Sequence, residues 1–585
     1  MREYKLLKAF LILTLVLVLF QSFSLTAIGV GDDPLTRIIS SIGAADTTLE
    51  ISTQQNATDN LIIPANVTLR FNQGGTLNIT AAKTVTINGH IEAGLYQIFE
   101  GDGTVLFGAG SVKEVCADWF GTTGAAIQSA INAAALYVKK VSIGSGTWLI
   151  NTEIAMPTVN TSWGIEVSGY KAELGYDWDE DTHATTLKAN AAIFSVINNR
   201  DGISVTSAQY NTFKNLTING NNQANYGYIN GMHDELRDST VKGCTVAGIY
   251  CATYTNSSFF TNVACVVNYG HGAVLAGEWS TVTYWTNCMF RGNALKGIII
   301  YSTVAAHFTN CIFEHNVQQG TYLYRPVSTS EQQIFNLKFT KCYWESNGAA
   351  SGGYQIVING VGASCWPMNI LFDQPHIVSG ADGRLGVQIL YGYNIKFQNP
   401  VFTGDNLITA GWFNVAASPN VTQVAIEGLS DAANHPTSWT VDGAGAANIV
   451  VSGNKVLGTL GTYITNASSA NIIKTQTNIP TTRAVTALEV CGSIITNYGQ
   501  AAADITITLP AASEKYSFLA VVLTGQAANA WIIQAVGGGN LIYFNGALVA
   551  TVRNSPAVLG SAIRLTAAEG AGYYWIAEVI SGTWI

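Results

Sequence analysis

The fold is decided by three consecutive stretches that repeat almost letter for letter: FTNVACVVNYGHG (260–272), WTNCMFRGNALKG (285–297) and FTNCIFEHNVQQG (308–320). Their leading asparagines, Asn262, Asn287 and Asn310, are spaced 25 and then 23 residues apart. A repeat this short, rich in Asn, Thr and β-branched residues, does not suit a pair of helices. It predicts one coil of a parallel β-helix, in which each coil adds three short strands to its neighbours.

Strand alternation assigns the faces of each coil. It places Cys288 and Phe290 inside and Met289 and Arg291 outside. Related stretches extend the repeat over about residues 211–399 and begin at Phe213, Ser239, Phe339, Met368 and Tyr393. Alignment then predicts two interior columns: Cys288, Cys311, Cys342, Ile370, Ile395 and Phe290, Phe313, Trp344, Phe372, Phe397. A third column is predicted at a turn, where side-chain amides can bond to each other: Asn268, Asn293, Asn316, Asn347.

The cysteines fit the coil interior better than a disulfide framework. There are nine, an odd number, and none forms a CxxC pair. A free cysteine packs as a small hydrophobe, so Cys288, Cys311 and Cys342 are predicted to stack as thiols. Neighbouring coils lie about 4.8 Å apart, so a bridge between adjacent coils remains sterically conceivable.

Composition excludes several classes of protein. Of 585 residues only 11% are charged, and the net charge is −9 while 48% are hydrophobic. These values exclude a charged disordered chain, a solvated coiled coil and a basic nucleic-acid binder. The only strongly apolar segment is Ala9–Phe20, which follows Arg2, Lys5 and Lys8. This layout predicts a secretory signal peptide, with an uncleaved N-terminal anchor as the alternative. A secreted or cell-surface protein, without membrane contact after cleavage, is therefore expected.

The chain is predicted to be all-β, with a right-handed parallel β-helix, a short capping helix and a C-terminal β-sandwich-like module. Alternating strands without a coil repeat distinguish the C-terminal part. The expected segments are a signal peptide (1–27), a leader (28–60), an N-terminal strand region (61–124), the capping helix (125–138), the β-helix (139–455) and the C-terminal module (456–585).

Handedness and a binding groove are implied by a family resemblance. Three stretches carry it: GGTLNITAAKTVTINGHIEAGLYQIFEGDGTVLFGAGSVKEVCADWFG (74–121), AAIQSAINAA (125–134) and GSGTWLINTEI (144–154). The chain resembles secreted and phage tail-spike proteins of the pectate-lyase-like (pectin-lyase-fold) superfamily over about residues 61–399. The resemblance implies a lateral groove that in many members binds and cuts polysaccharides, and a trimer.

The sequence also departs from these relatives. Residues 121–124 read GTTG, where an Asp-rich stretch is usual. Of the polygalacturonase-like catalytic set only His271–Gly272 matches, and no lyase-like calcium site is evident. The resemblance therefore implies a fold, which does not by itself imply an activity.

An outward column of acids is the candidate catalytic site. The alignment orders it as Arg291, Glu314, Glu345, Asp373, Gln398. Stacked one coil apart, Glu314, Glu345 and Asp373 would offer the carboxylate spacings of retaining or inverting glycosidases. Substrate-binding roles are predicted for Arg291, His315, Tyr343 and Lys396. The alternative is a solvated acidic ridge partly neutralised by Arg291.

A neighbouring outward column is unusually apolar, and two other groups are unusually charged. The apolar column, Met289, Ile312, Tyr343, Leu371, Lys396, predicts either a sugar platform or a face covered by protein. Four acids before the repeat could hold Ca²⁺ or form a solvated loop: Asp177, Asp179, Glu180, Asp181. No other cofactor is expected. A second charged group could border a site: His233, Asp234, Glu235, Arg237, Asp238.

Two functions fit these patterns. The first is an exported β-helix protein that binds a polysaccharide and, as a hydrolase or lyase, depolymerises it through the acidic column. The second is a non-catalytic structural or adhesive rod. Self-association is expected under both.

Overall fold

A computed structural model describes most of the chain. The described residues are 24–25, 35–157, 163–173, 183–199, 210–252, 255–277, 280–326, 333–348, 353–360, 366–379, 385–404, 413–415, 421–428, 430–431, 447–456, 472–478, 483–484, 491–496, 505–509, 518–522, 531–535, 542–553, 562–569, 573–581 and 584–585. They form two compact units, Met1–Thr245 and Val246–Ile585, each built almost entirely of strands. None of the helices in this part of the chain is long and apolar enough to cross a membrane.

The first unit opens with three coils of three strands each. Their bounds are Thr47–Ile51, Gln55–Ala57 and Leu61–Ile63; Val67–Phe71, Leu77–Ile79 and Thr84–Ile87; and Ile91–Glu92, Phe99–Glu100 and Thr104–Phe107. Equivalent strands pair in parallel, and Ser24–Leu25 pairs with the first. Alternation buries Val67, Leu69 and Phe71. The first coil therefore starts inside the segment predicted as a leader.

Among its described residues, the first unit contains two helices and one 3-10 turn. They are Leu35–Ser41, Ala117–Phe120 and Gly124–Ala134. The last is the predicted capping helix, and it ends at Ala134 rather than at residue 138. Its apolar face, including Ile127 and Ile131, is buried. It contacts the strand Thr104–Phe107 and the strands that follow it in the chain.

Further parallel strands complete the first unit. They are Val115–Cys116, Lys140–Ser142, Gly146–Ile150, Ile154–Ala155, Glu166–Ser168, Thr185–Ala189, Ile193–Asn198, Thr212–Lys214, Thr217–Asn219, Ala224–Asn230 and Glu235–Lys242. The register places Glu166 beside Thr212 and Thr212 beside Glu235.

The second unit continues with coils whose strands fall into three parallel series. Series A is Thr281–Thr286, Thr303–Thr309, Ile334–Thr340, Met368–Asp373, Gly392–Gln398 and Val421–Glu427. Series B is Met289–Arg291, Ile312–Glu314, Tyr343–Glu345, His376–Ser379, Val401–Gly404 and Ser430–Asp431. Series C is Ala247–Cys251, His271–Leu275, Ile298–Ile300, Thr321–Arg325, Tyr354–Gly360, Leu385–Ile389 and Phe413–Val415. Asn256–Val266 pairs with both series A and series B, and Ala447–Val456 follows them.

Asparagine makes the corner between series A and series B. Asn262, Asn287 and Asn310 have φ values of 54°, 54° and 53°, in the left-handed region that Asn tolerates better than most residues. Their exposed amides are hydrogen-bonded from coil to coil at 3.2 and 3.4 Å. The asparagines that define the sequence repeat are therefore also the residues at which the chain changes direction.

Two interior aromatic stacks run along the coils, not one. Series A carries Trp285, Phe308, Phe339, Phe372, Phe397, and series B carries Phe290, Phe313, Trp344, Ile377, Phe402. The predicted columns were therefore wrong beyond Trp344, because Phe372 and Phe397, with Ile370 and Ile395, lie in series A. Both stacks consist of large apolar residues, so a slip by one strand in the alignment keeps every interior position apolar.

The predicted stacks of turn asparagines and of thiols are confirmed. In the amide ladder (Asn268, Asn293, Asn316, Asn347 and Gln355), each Nδ2 donates to the next side-chain oxygen, at 2.6–2.9 Å. Seven buried cysteines are thiols that form no disulfide: Cys116, Cys244, Cys251, Cys265, Cys288, Cys311 and Cys342. Among them, Cys288, Cys311 and Cys342 occupy matching positions in adjacent coils.

The C-terminal strands form two sheets around one core. Their bounds are Ile472–Asn478, Arg483–Ala484, Cys491–Thr496, Ile505–Leu509, Phe518–Val522, Trp531–Ala535, Ile542–Phe544, Ala547–Val549, Thr551–Arg553, Ala562–Glu569 and Tyr573–Ser581. Pairing is parallel at first and becomes antiparallel between Phe518–Val522 and Ala562–Glu569. Residues of both sheets, including Ile533, Leu565 and Trp575, share the core.

Candidate functional site

The outward face of series B brings two of the three predicted acids together. Arg291 is the register partner of Glu314, and Glu314 is the partner of Glu345. We call Glu314 and Glu345 the acid pair. The next partner of Glu345 is Val378. Two carboxylates therefore stand one coil apart, without a third above them.

Asp373 and Lys396 lie elsewhere, which corrects the predicted site. Asp373 ends a strand of series A, between Thr340 and Gln398. Lys396 also belongs to series A, and its Nζ lies 2.9 Å from an oxygen of Glu427. The predicted apolar column is corrected in the same way, because Tyr343 is followed by His376 and Val401 instead of Leu371 and Lys396.

Arg291 and His315 flank Glu314. The Arg291 Nη1 is 3.2 Å from one carboxylate oxygen, and the His315 Nδ1 is 3.9 Å from the other. The Glu314 side chain is only 12% exposed, whereas that of His315 is 51% exposed. Glu314 is thus held by a guanidinium in a largely desolvated position, where a charge-assisted contact is stronger than in water.

Tyr343 holds Glu345. Its hydroxyl donates a hydrogen bond of 2.8 Å to a carboxylate oxygen two residues along the same strand face. Burial, this hydrogen bond and the charges of Glu345 and Glu314 raise the pKa of the Tyr343 hydroxyl. Tyr343 therefore keeps its proton at neutral pH and acts as a donor rather than a base.

His376 completes the cluster on the far side of Tyr343. The two rings meet edge to face with centroids 5.1 Å apart, and the His376 Nε2 is 2.9 Å from the Thr403 hydroxyl. Burial lowers the pKa of His376, and the charge of Glu345 opposes that shift. A mainly neutral imidazole beside a protonated phenol and two carboxylates can exchange hydrogen bonds with a hydroxyl-rich ligand.

Tyrosines on series C were missed by the sequence analysis. The rings of Tyr322 and Tyr324 are 5.6 Å apart, and those of Tyr301 and Tyr324 are 6.1 Å apart. The Lys296 Nζ lies 4.8 Å from the centroid of Tyr322, whose hydroxyl accepts a bond from Asn359. Series C lies outside the repeated stretches, so only its alternation, as in TYLYR (321–325), could have indicated this group.

His271, the one match to the polygalacturonase-like set, is a half-buried neutral side chain in series C. Its Nδ1 faces the backbone N–H of Lys296 at 3.3 Å. Burial and the positive charge of Lys296 lower the pKa of His271 to about 4. An unprotonated Nδ1 accepts the amide proton, so this histidine is structural.

We expect the second unit to lose stability as the pH falls from 6.5 to about 4, because of His271. The folded-state pKa is depressed, so the unfolded chain takes up the proton first and stability is lost on acidification. A shift of 2.5 pKa units corresponds to at most about 3 kcal/mol. Urea titrations at pH 7.5, 5.5 and 4.5 measure the loss. His271→Gln should show a smaller loss than the parent, while a His315→Gln control should follow the parent.

The predicted calcium ligands are the remaining candidates. Asp177, Asp179, Glu180 and Asp181 lie outside the described residues, so the calcium alternative stays a prediction. Within the described part of the chain, no three His, Cys, Asp or Glu side chains are grouped to hold a metal ion.

Comparison with known proteins concerns the fold. Residues 178–313 match the family described as "Right handed beta helix region". None of the curated proteins matches the sequence. Among solved structures, the Agl-KA catalytic domain is 14% identical, with 62% of this chain and 68% of that chain covered and a TM-score of 0.41.

Two further solved structures are similar at the same level. For the mannuronan C-5 epimerase AlgE6 A-module of Azotobacter vinelandii, identity is 14%, coverage 55% of this chain and 100% of that chain, and the TM-score 0.36. PfbA, a surface adhesin of Streptococcus pneumoniae, is 10% identical, with 80% of this chain and 99% of that chain covered and a TM-score of 0.36. At such identities the likeness implies nothing about activity. The stacked three-strand coils, together with the family match over residues 178–313, show that this chain folds as a right-handed parallel β-helix.

Proposed function

We propose that the protein binds an extracellular polysaccharide on the outward face of series B and hydrolyses it with the acid pair. One observation carries the proposal: Glu314 and Glu345 are register partners in adjacent coils, each held by its own donor. The low share of charged residues makes two neighbouring carboxylates unusual for this chain. Export is part of the proposal, supported by the N-terminal apolar segment, and self-association remains a prediction.

The spacing of the pair supports a retaining hydrolase. The strands that carry the two residues lie about 4.8 Å apart, a backbone spacing that lets their carboxyl groups adopt the separation of roughly 5–5.5 Å found in retaining glycosidases. In that reaction one carboxylate attacks the anomeric carbon while the other carboxyl group protonates the leaving oxygen. Water then breaks the glycosyl-enzyme bond, and its proton returns to the second carboxylate. In this proposal Arg291, Tyr343 and His376 bind sugar hydroxyls and fix the sugar ring.

We expect Glu345→Gln to lower the rate of glycan cleavage at least about 100-fold, because an acid–base group contributes about 10² to 10⁴ in rate. The measurement is new reducing ends from a polysaccharide panel, with ultraviolet absorbance to detect the unsaturated ends of lyase chemistry. Asp373→Asn is the matched control, since this acid lies on series A, and it should cleave within about twofold of the parent.

The two acids can be told apart by rescue. Azide restores turnover when the nucleophile is removed and gives the inverted glycosyl azide, whereas removal of the acid spares substrates with good leaving groups. Glu314→Gln and Glu345→Gln should therefore respond differently. Equal activity of both variants and the parent would disprove hydrolysis at this site.

A non-catalytic rod is the second candidate, and one observation favours it. Both carboxylates already have donors within the chain, as in a structural ion pair, and Glu314 is largely buried. Failure of the parent protein to cleave or bind any glycan would support the rod and reject the hydrolase.

A further inference from the structure

Three aromatic rings follow one another on the surface of the first unit. Trp163, Tyr210 and His233 precede the paired strands that begin at Glu166, Thr212 and Glu235. The rings of Tyr210 and His233 are parallel within 6° and 4.7 Å apart, and Trp163 lies 6.4 Å from Tyr210. Tyr210 is 54% exposed and Trp163 is 39% exposed. We call these three residues the aromatic platform.

A buried polar network fixes the backbone beside each ring. The N–H of Ile165 donates to the Asn211 Oδ1 at 2.9 Å, and the N–H of Asn211 donates to the Asp234 Oδ1 at 2.9 Å. The Asn199 Nδ2 donates to the other Asp234 oxygen at 2.6 Å. Asn199, Asn211 and Asp234 are wholly buried. The charged group that the sequence singled out thus contributes a positioning residue, Asp234.

The backbone of the platform is held in an uncommon conformation. Tyr210 has a φ of 61° and His233 a φ of 56°. Left-handed conformations are costly for aromatic residues and persist only where the surroundings enforce them. Tyr210 and His233 each lie two residues before the register partners Thr212 and Glu235, so the coil brings the two rings to equivalent positions, and the buried network fixes the backbone next to them. A fold that needed only a turn could have used glycine at both positions.

Two ion pairs lie on the strands that follow the platform residues, and we call their four side chains the border. The Lys214 Nζ lies 2.8 Å from Glu166, and the Arg237 Nε lies 3.6 Å from Glu235. All four side chains are partly exposed. The border carries two cations and two anions, so it offers hydrogen bonds without a net charge.

We propose that Trp163, Tyr210 and His233 bind uncharged pyranose residues of a polysaccharide, at a site separate from the acid pair. Aromatic rings contact the apolar C–H faces of sugars, and planar polar groups beside them bond to the hydroxyls. A balanced border neither attracts an acidic glycan nor repels a neutral one. The inference rests on the proposed polysaccharide function but uses none of its catalytic residues.

Affinity electrophoresis of the full-length protein in gels with neutral glucan, mannan or galactomannan tests the platform. Tyr210→Ala is expected to weaken binding of a retarding glycan at least about tenfold, in the range of an aromatic contact removed from a binding site. Tyr210→Phe should bind nearly as the parent, because the ring remains. Tyr170→Ala is the matched control, an exposed tyrosine (71%) of the same unit outside the platform, and should leave binding unchanged. Thermal unfolding of each variant verifies the fold.

The outcomes separate this inference from the hydrolase. Glu345→Gln should lose cleavage and keep platform binding, while Tyr210→Ala should lose binding to the platform. Retardation that is equal in Tyr210→Ala and the parent would overturn the platform and leave the acid pair standing. Binding that depends on Tyr210 in a protein without cleavage would overturn the hydrolase alone. A parent protein that binds no neutral glycan overturns the platform.

Discussion

Replacing Asn316 with alanine is expected to lower the free energy of unfolding by about 3–5 kcal/mol, because several buried partners lose their hydrogen bonds together. The Asn316 Oδ1 accepts from the backbone and side chain of Asn293, at 3.1 and 2.8 Å. Its Nδ2 donates to the Phe290 carbonyl at 2.9 Å and to Asn347 at 2.7 Å. Asn316 is 1% exposed, so water does not replace these bonds in the native coil.

Denaturant titration followed by tryptophan fluorescence measures this loss, and hydrogen exchange at the amide of residue 293 localises it. Asn190→Ala is the control, because its side chain bonds only to another exposed amide, Asn151, in the described structure. A change within about 0.5 kcal/mol is expected there. A loss below about 1 kcal/mol for Asn316→Ala would mean that the amide ladder contributes little to stability.

Phe313→Ala is expected to cost a similar amount, about 3–5 kcal/mol, through a cavity in the series B stack. Its ring is fully buried and lies parallel to those of Phe290 and Trp344, with centroids 4.9 and 5.2 Å away. The coils on both sides are fixed by strand pairing, so they have little freedom to collapse into the space.

The same titration tests this prediction, with Phe313→Leu as the volume-conserving comparison. Leucine refills most of the cavity and should cost about 1.5 kcal/mol or less. Equal losses for the two variants would show that aromatic stacking rather than volume stabilises this position.

The fold was predictable from the sequence because consecutive coils carry the same residue types at their corners and in their interior stacks. Asn287 predicts a corner, Phe290 an interior position and Asn293 a ladder position, and the next coil repeats all three. Strand alternation needs no long-range information, so the pairing of Tyr343 with Glu345 on one face also follows from the sequence.

The register beyond Trp344 was not predictable by the same reasoning. A coil has two interior positions for large apolar residues, one in series A and one in series B. Phe339 and Trp344 occupy them in one coil, and the two series accept similar residues. Coil length does not resolve the ambiguity, because the steps between paired residues vary: Glu314 and Glu345 differ by 31 positions, Asp373 and Gln398 by 25. Only the three-dimensional pairing shows that Asp373 precedes a corner.

The aromatic platform depends on even longer connections. Ile165 and Asn211 are 46 residues apart, although they lie in adjacent coils. A sequence of such unequal coils does not reveal that Tyr210 and His233 are neighbours. The charge density around Asp234 was a usable signal that this group could border a site, but it did not indicate that Asp234 itself is buried.

The buried thiols allow local opening of the coils to be measured in each unit without added probes. A thiol reagent cannot reach a side chain such as Cys251 or Cys311 until the surrounding coil separates, so the alkylation rate under native conditions reports the free energy of that local opening. Peptide mapping after labelling assigns the opening to individual coils without any introduced probe. The result would be a profile of the free energy of local opening along the chain, with one value for each labelled cysteine.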